Sequence, residues 1–177
     1  MRQLILMRQL ILMRHAQAQA SSPTGGDRER ALSAAGKAQA IAVGQALRAR
    51  GVTPDLAVVS AARRTRETWA GVAEGLGIEG EPEWLEIEPA LYNADAMTLR
   101  RHVEGAEDRC DTLVLIAHNP GVHQLAFELL SEGGASEQIL DRVRIGFAPA
   151  TAAAFLVDAA GRCAYDGILT PDGAGRP

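Results

Sequence analysis

Thr112-Leu113-Val114-Leu115-Ile116-Ala117 is an almost continuous apolar run that stops abruptly at His118-Asn119-Pro120. Six residues are too few for a buried helix but suit a strand covered on both faces, because a half-exposed strand would alternate apolar with polar positions. Asn119 and Pro120 then read as the N-cap and first residue of a helix, on which Val122, Leu125, Ala126 and Leu129 recur at helical spacing. A strand that passes at once into a helix is the repeating unit of an α/β fold.

The same unit recurs on either side. Gln9 to Met13 (QLILM) reads as a short buried strand, followed by a polar, Gly-rich loop from Gln17 to Arg30. A helix starts at the cap Ser33, carries Ala40, Val43 and Leu47 on one face, and stops at Gly51. Asp55 to Val59 is a second buried strand, and Trp69, Val72, Ala73 and Leu76 mark the apolar stripe of the helix after it. The 76–111 segment holds one edge strand around Glu83 to Ile87 and one helix carrying Ala96, Leu99 and Val103, with no room for a large lid. Phe147 to Val157 and Cys163 to Leu169 read as two final strands. Buried strands alternating with helices predict a three-layer α/β/α sandwich with a mostly parallel central sheet.

The 177 residues suit one domain, taken as residues 7–170, with 171–177 expected to be a flexible tail. Residues 1–6 (MRQLIL) recur as residues 7–12 and read as a duplicated start or an added extension. With 47% apolar and 23% charged residues the chain has enough apolar side chains for a core. A net charge of -4 argues against a nucleic-acid partner. No apolar run reaches the ~20 residues of a membrane span. Cys110 and Cys163 form no CxxC pair, so neither a disulfide framework nor a cysteine zinc site is expected, and a cytoplasmic location fits best.

In an open α/β sheet, ligands bind beyond the carboxyl ends of the strands. The three clearest strands lead into Arg14-His15, Ser60-Ala61-Ala62-Arg63-Arg64 and His118-Asn119. Two imidazoles and at least two guanidiniums are therefore expected to meet on one edge. Guanidinium forks match phosphoryl oxygens, and a helix start near Asn119 would add N–H donors, which makes Arg14, Arg63 or Arg64, His118 and Asn119 candidate phosphate-binding residues. A neutral histidine there can attack phosphorus, and neighbouring arginines disfavour its protonation. Arginines and the second histidine can neutralise developing charge, so no metal or other cofactor is expected. His123 lies about 140° round the helix from His118, so the two do not share a zinc ion.

Arg14-His15, Ser60-x-x-x-Arg64-x-x-x-Thr68 and His118, each after a strand and in this order, resemble the histidine phosphatase (phosphoglycerate mutase-like) superfamily. The small size, Arg30-x-Leu32-Ser33-x-x-Gly36 and His118-Asn119-Pro120 are most similar to its SixA-type phosphohistidine phosphatase branch. The resemblance covers residues 7 to about 169 and implies a phosphoglycerate mutase-like fold. It also implies His15 as the nucleophile that forms a phosphohistidine, Arg14 and Arg64 on the phosphoryl oxygens, and His118 stabilising the transition state. Larger relatives take a proton from a glutamate after the third strand, and Glu88 is the candidate by position, with Glu86 and Glu83 behind it. The usual glycine after the Arg-His pair is Ala16 here.

The function expected is a metal-independent phosphatase acting on phosphohistidine in proteins, because an open mouth suits a side chain projecting from another protein. The alternatives are a phosphomonoesterase of small phosphorylated metabolites and a non-catalytic phosphoryl-binding module.

Overall fold

The central strands carry their side chains into two separate cores. In the computed structural model, which describes residues 8–175, β1 (Gln9–Arg14) and β4 (Thr112–Ala117) pair in parallel along their whole length. Leu10 and Leu12 of β1 and Leu113, Leu115 and Ala117 of β4 join one apolar cluster, whereas Ile11, Met13, Val114 and Ile116 join the other. Alternate residues of a strand point to opposite faces, so a strand between two helix layers has to be apolar throughout. Each of these fully buried Leu or Ile side chains contributes roughly 1.5–3 kcal/mol.

The chain runs in order through β1, α1 (Ala34–Ala49), β2 (Leu56–Ser60), α2 (Arg63–Leu76), β3 (Leu85–Glu88), α3 (Ala96–Glu104), β4, α4 (Gly121–Glu132), α5 (Glu137–Ile145), β5 (Ala152–Val157), β6 (Cys163–Thr170) and β7 (Gly173–Gly175). The seven-stranded sheet has the order β3-β2-β4-β1-β5-β6-β7. The three-layer sandwich agrees with the sequence reading, with α1 and α2 against one face and α3, α4 and α5 against the other.

The sheet is parallel only in the half that carries the strand–helix units. β3, β2, β4 and β1 run together, while β5, β6 and β7 join in antiparallel hairpins. Helix α5 has no counterpart in the sequence reading, because its apolar stripe is short and Ile145 at its end is exposed. Of the tail expected to be flexible, residues 173–175 turn back and pair with β6. The repeated hexapeptide 1–6 lies outside the described residues.

Local signals set the helix ends near the site. Ser33 caps α1 by accepting the Gly36 N–H at 3.0 Å. Gly36 is required by packing, since a Cβ there would stand 2.0 Å from the Gln17 carbonyl oxygen. Gly44, at the α1–α2 crossing, allows a similar approach, as its Cβ would meet the Val72 carbonyl oxygen at 2.3 Å. At α4 the local signal is overruled, and the helix starts at Gly121 with Pro120 in the cap position. The Asn119 amide, expected to cap it, donates instead to the Phe147 carbonyl at 3.0 Å.

Candidate active site

Because β2, β4 and β1 are adjacent and parallel, their carboxyl ends open on one edge of the sheet. Arg14 ends β1 opposite Ala117 of β4, and the His15 N–H continues the ladder to the Ala117 carbonyl at 3.1 Å. His118 follows Ala117 directly, and the His15 and His118 ring centroids lie 5.3 Å apart. From β2, Ser60 reaches His118 Nε2 with its Oγ at 2.7 Å. Arg64 rises from the first turn of α2 with 5% exposure, beside a nearly buried His15 and His118.

Further contacts hold His15 and the residue after it. The Ala150 N–H donates to its carbonyl at 3.0 Å, and the following residue, Ala16, is anchored by its N–H to Thr68 Oγ1 at 3.0 Å. His15 Nδ1 lies 2.7 Å from the Ala16 carbonyl oxygen. A carbonyl can only accept, so Nδ1 carries the ring proton and Nε2 keeps its lone pair. Ala16 is fully buried and is not among the residues of positive φ, so the backbone at this position does not need a glycine.

Burial pushes the His15 pKa down to about 4, with Arg64 and Arg14 adding repulsion and the Ala16 hydrogen bond opposing them. Burial likewise lowers His118 to about 3, followed by repulsion from Arg64. Both imidazoles are neutral at pH 7. The arginine charge foreseen from the sequence acts in the expected direction, but desolvation is the larger cause for each.

The two guanidiniums are each held at one end. Arg14 Nη1 donates to the Phe147 carbonyl at 3.0 Å. Arg64 Nη1 donates to the Asp27 carbonyl at 2.7 Å and Nη2 to Asp27 Oδ2 at 3.0 Å. Among the described residues, the buried side-chain polar atoms without a partner are Arg14 Nε, Arg64 Nε, His118 Nδ1, Asn119 Oδ1 and Tyr165 OH. Four of the five belong to residues of this one edge. Buried donors normally find partners, so unpartnered ones gathered together mark a place for an oxygen-rich ligand.

Asp27, Arg30, Tyr92, Thr68 and Ser60 complete the surroundings. The Asp27 carboxylate accepts from Arg30 at 2.8 Å, from the Tyr92 hydroxyl at 2.8 Å and from Arg64. The Arg30 bond and then the Tyr92 bond hold its carboxyl well below the usual carboxylate range. Tyr92 also stands edge-on to His118, at 5.6 Å between centroids, and lies under Arg28 at 4.5 Å. Sequence reading gave Asp27 no role, since its position in a polar loop carries no signal. Its spacing to Arg30, three residues on, is the only hint.

The other residues weighed from the sequence each have partners of their own. Asn119 adjoins the cradle, and of the two N–H donors of its amide one is bonded to the Phe147 carbonyl, which it orients. The Val122 N–H at the start of α4 is bonded to the His118 carbonyl. Glu88 ends β3 beside Ser60, and its carboxylate accepts the Ala90 N–H at 2.8 Å. Glu86 is paired with Arg109. His123 Nε2 bonds the Val143 carbonyl at 2.6 Å. A groove of about 650 Å³ between α2 and β3 is lined by Trp69, Ala73, Leu85 and Ile87 and contains neither histidine. Among the described residues no group of three or more His, Cys, Asp or Glu is placed to hold a metal, and no helix is long and apolar enough to cross a membrane.

An edge of parallel strands presenting paired imidazoles and paired guanidiniums defines an oxyanion site of the kind that serves phosphoryl transfer. The chain belongs to the histidine phosphatase superfamily (branch 1), whose family model matches residues 10–118, and it is a hydrolase of the phosphatase type. An uncharacterised protein of Mycobacterium tuberculosis is 30% identical over 132 residues, 74% of this chain and 78% of the relative. The solved structure of SixA from Agrobacterium tumefaciens superposes with a TM-score of 0.77 at 22% identity, covering 93% of this chain and 99% of that one. The protein histidine phosphatase SixA complexed with tungstate gives a TM-score of 0.73 at 20% identity, over 93% of this chain and 97% of that one.

Proposed function

We propose that this chain is a metal-independent phosphohistidine phosphatase that works through a covalent phosphohistidine on His15. The observation that carries the reading is the set of unpartnered buried donors, Arg14 Nε, Arg64 Nε and His118 Nδ1, gathered around a histidine whose Nε2 lone pair is free. A tetrahedral oxyanion would satisfy all three. The tungstate carried by the related SixA, itself a tetrahedral oxyanion, supports the same reading.

In the first step His15 Nε2 attacks phosphorus and an N–P bond forms. The bond from phosphorus to the substrate's imidazole nitrogen breaks, and that nitrogen leaves with the bonding pair and takes up a proton from solvent. In the second step water attacks phosphorus and gives up a proton to solvent, the N–P bond breaks with its electron pair returning to Nε2, and phosphate departs. Arg14 and Arg64 hold the phosphoryl oxygens, and His118 donates to them as charge develops. A protonated ring nitrogen leaves more readily than an alkoxide, so a phosphoramidate places little demand on the enzyme's acid. That fits a site in which one oxygen of the Glu88 carboxylate is engaged with the Ala90 N–H.

The test is a panel of phosphohistidine peptides and small phosphoesters (phosphosugars and phosphoglycerate), assayed with a chelator present. The reading expects the highest kcat/KM on phosphohistidine, no loss with chelator and competitive inhibition by tungstate. Faster turnover of a metabolite ester would transfer the substrate assignment to that class. A strict need for added divalent metal would overturn the mechanism.

A further inference from the structure

The two histidines of the site meet different partners, and the difference dictates where each proton sits. His15 faces a carbonyl, which forces a proton onto Nδ1. His118 faces the hydroxyl of Ser60, which can either donate or accept. Ser60 is fully buried, and His118 Nε2 is the one partner of its hydroxyl among the described residues. Thr65 Oγ1 donates to the Ser60 carbonyl and the Ala62 carbonyl, each at 2.7 Å, which steadies the backbone that presents Ser60.

Two proton arrangements fit the 2.7 Å separation. If Nε2–H donated to Ser60, the serine's own proton would be buried without an acceptor. His118 Nδ1 would then be a bare lone pair beside two guanidiniums and an incoming anion. If the hydroxyl donates to Nε2, the serine proton is satisfied and Nδ1 carries the hydrogen. Only the second arrangement leaves a donor at the unpartnered, buried Nδ1.

We propose that Ser60 is a positioning residue that selects the Nδ1–H tautomer of His118, so that a neutral imidazole presents a hydrogen-bond donor to the phosphoryl group. The site then holds two neutral histidines in the same tautomer for opposite purposes. His15 exposes its lone pair at Nε2, while His118 spends its lone pair on Ser60 and exposes its proton. The use made of that proton rests on the phosphatase reading, whereas its position does not.

The experiment is long-range ¹H–¹⁵N correlation spectroscopy on the unliganded protein labelled at histidine, at pH 7, with His118 assigned from its absence in His118→Gln. The wild type is expected to show the Nδ1–H pattern. Ser60→Ala is expected to shift His118 towards the other tautomer and to lower kcat/KM on an aryl phosphate roughly tenfold, the worth of one neutral hydrogen bond. Ser60→Thr should restore both. An Nε2–H pattern in the wild type, or an unchanged tautomer in a folded Ser60→Ala, would overturn the proposal. Should Ser60→Ala not fold, the wild-type and Ser60→Thr spectra decide it. An inactive wild type with the Nδ1–H pattern would support the tautomer assignment while refuting the phosphatase reading.

Discussion

Replacing His15 by Gln should make the protein less sensitive to mild acid, and the size of the change is set by burial. In the unfolded chain a histidine takes up its proton near pH 6.5, whereas in the fold His15 does so only near 4. Between those values the unfolded state binds a proton that the native state does not, so stability is lost as pH falls through this window. Taking the two pKa values through the linkage relation from pH 7 to pH 5 gives a loss of about 2 kcal/mol from His15. His118, lowered to about 3, adds a similar amount. Urea unfolding of wild type and His15→Gln at pH 7 and pH 5 isolates the term, because the remaining titrating groups are common to both. The variant should lose about 2 kcal/mol less than the wild type over this interval. Equal losses would show that His15 titrates normally, and the downward pKa shift derived from its burial would be refuted.

Further predictions concern the cradle and its supports. Arg64→Lys keeps the charge but loses the planar fork held by Asp27, and kcat/KM should fall about 100-fold with little change in melting temperature. Gly36→Ala would press a methyl group against the Gln17 carbonyl, so denaturant unfolding should show a loss of about 1–3 kcal/mol. Glu88→Gln should slow hydrolysis of an alkyl phosphate more than that of a phosphohistidine peptide, because the leaving groups differ in their need for a proton. A steady-state comparison of the two substrates reads that ratio.

The order of elements was legible because it is written in local patterns. TLVLIA, QLILM and the DLAVV run are apolar without alternation, and that marks strands covered on both faces. Ser33 and Gly51 bracket α1 through capping chemistry that acts within a few residues. Placement of Arg14, His15 and His118 followed from strand ends, since parallel neighbours must open on one edge, whereas Arg64 is singled out from its neighbouring arginines by the Ser60-x-x-x-Arg64 spacing of the family resemblance. What escaped the sequence depends on contacts distant in the chain. Asn119-Pro120 has the local character of a helix start, yet the Phe147 carbonyl claims the Asn119 amide across 28 positions. Asp27 gains its place from Arg64 and Tyr92, 37 and 65 positions away. The direction of the last strands is not legible in residue periodicity, which carries none; β5 pairs antiparallel with both β1 and β6.

The most direct test of the central claim is rapid quench of the enzyme during turnover of a ³²P-labelled substrate, followed by peptide mapping. The account predicts an acid-labile, base-stable phosphoryl group on His15, absent from His15→Ala, which should also lack turnover of an aryl phosphate. Undiminished hydrolysis by His15→Ala, or label carried on any other residue, would contradict it.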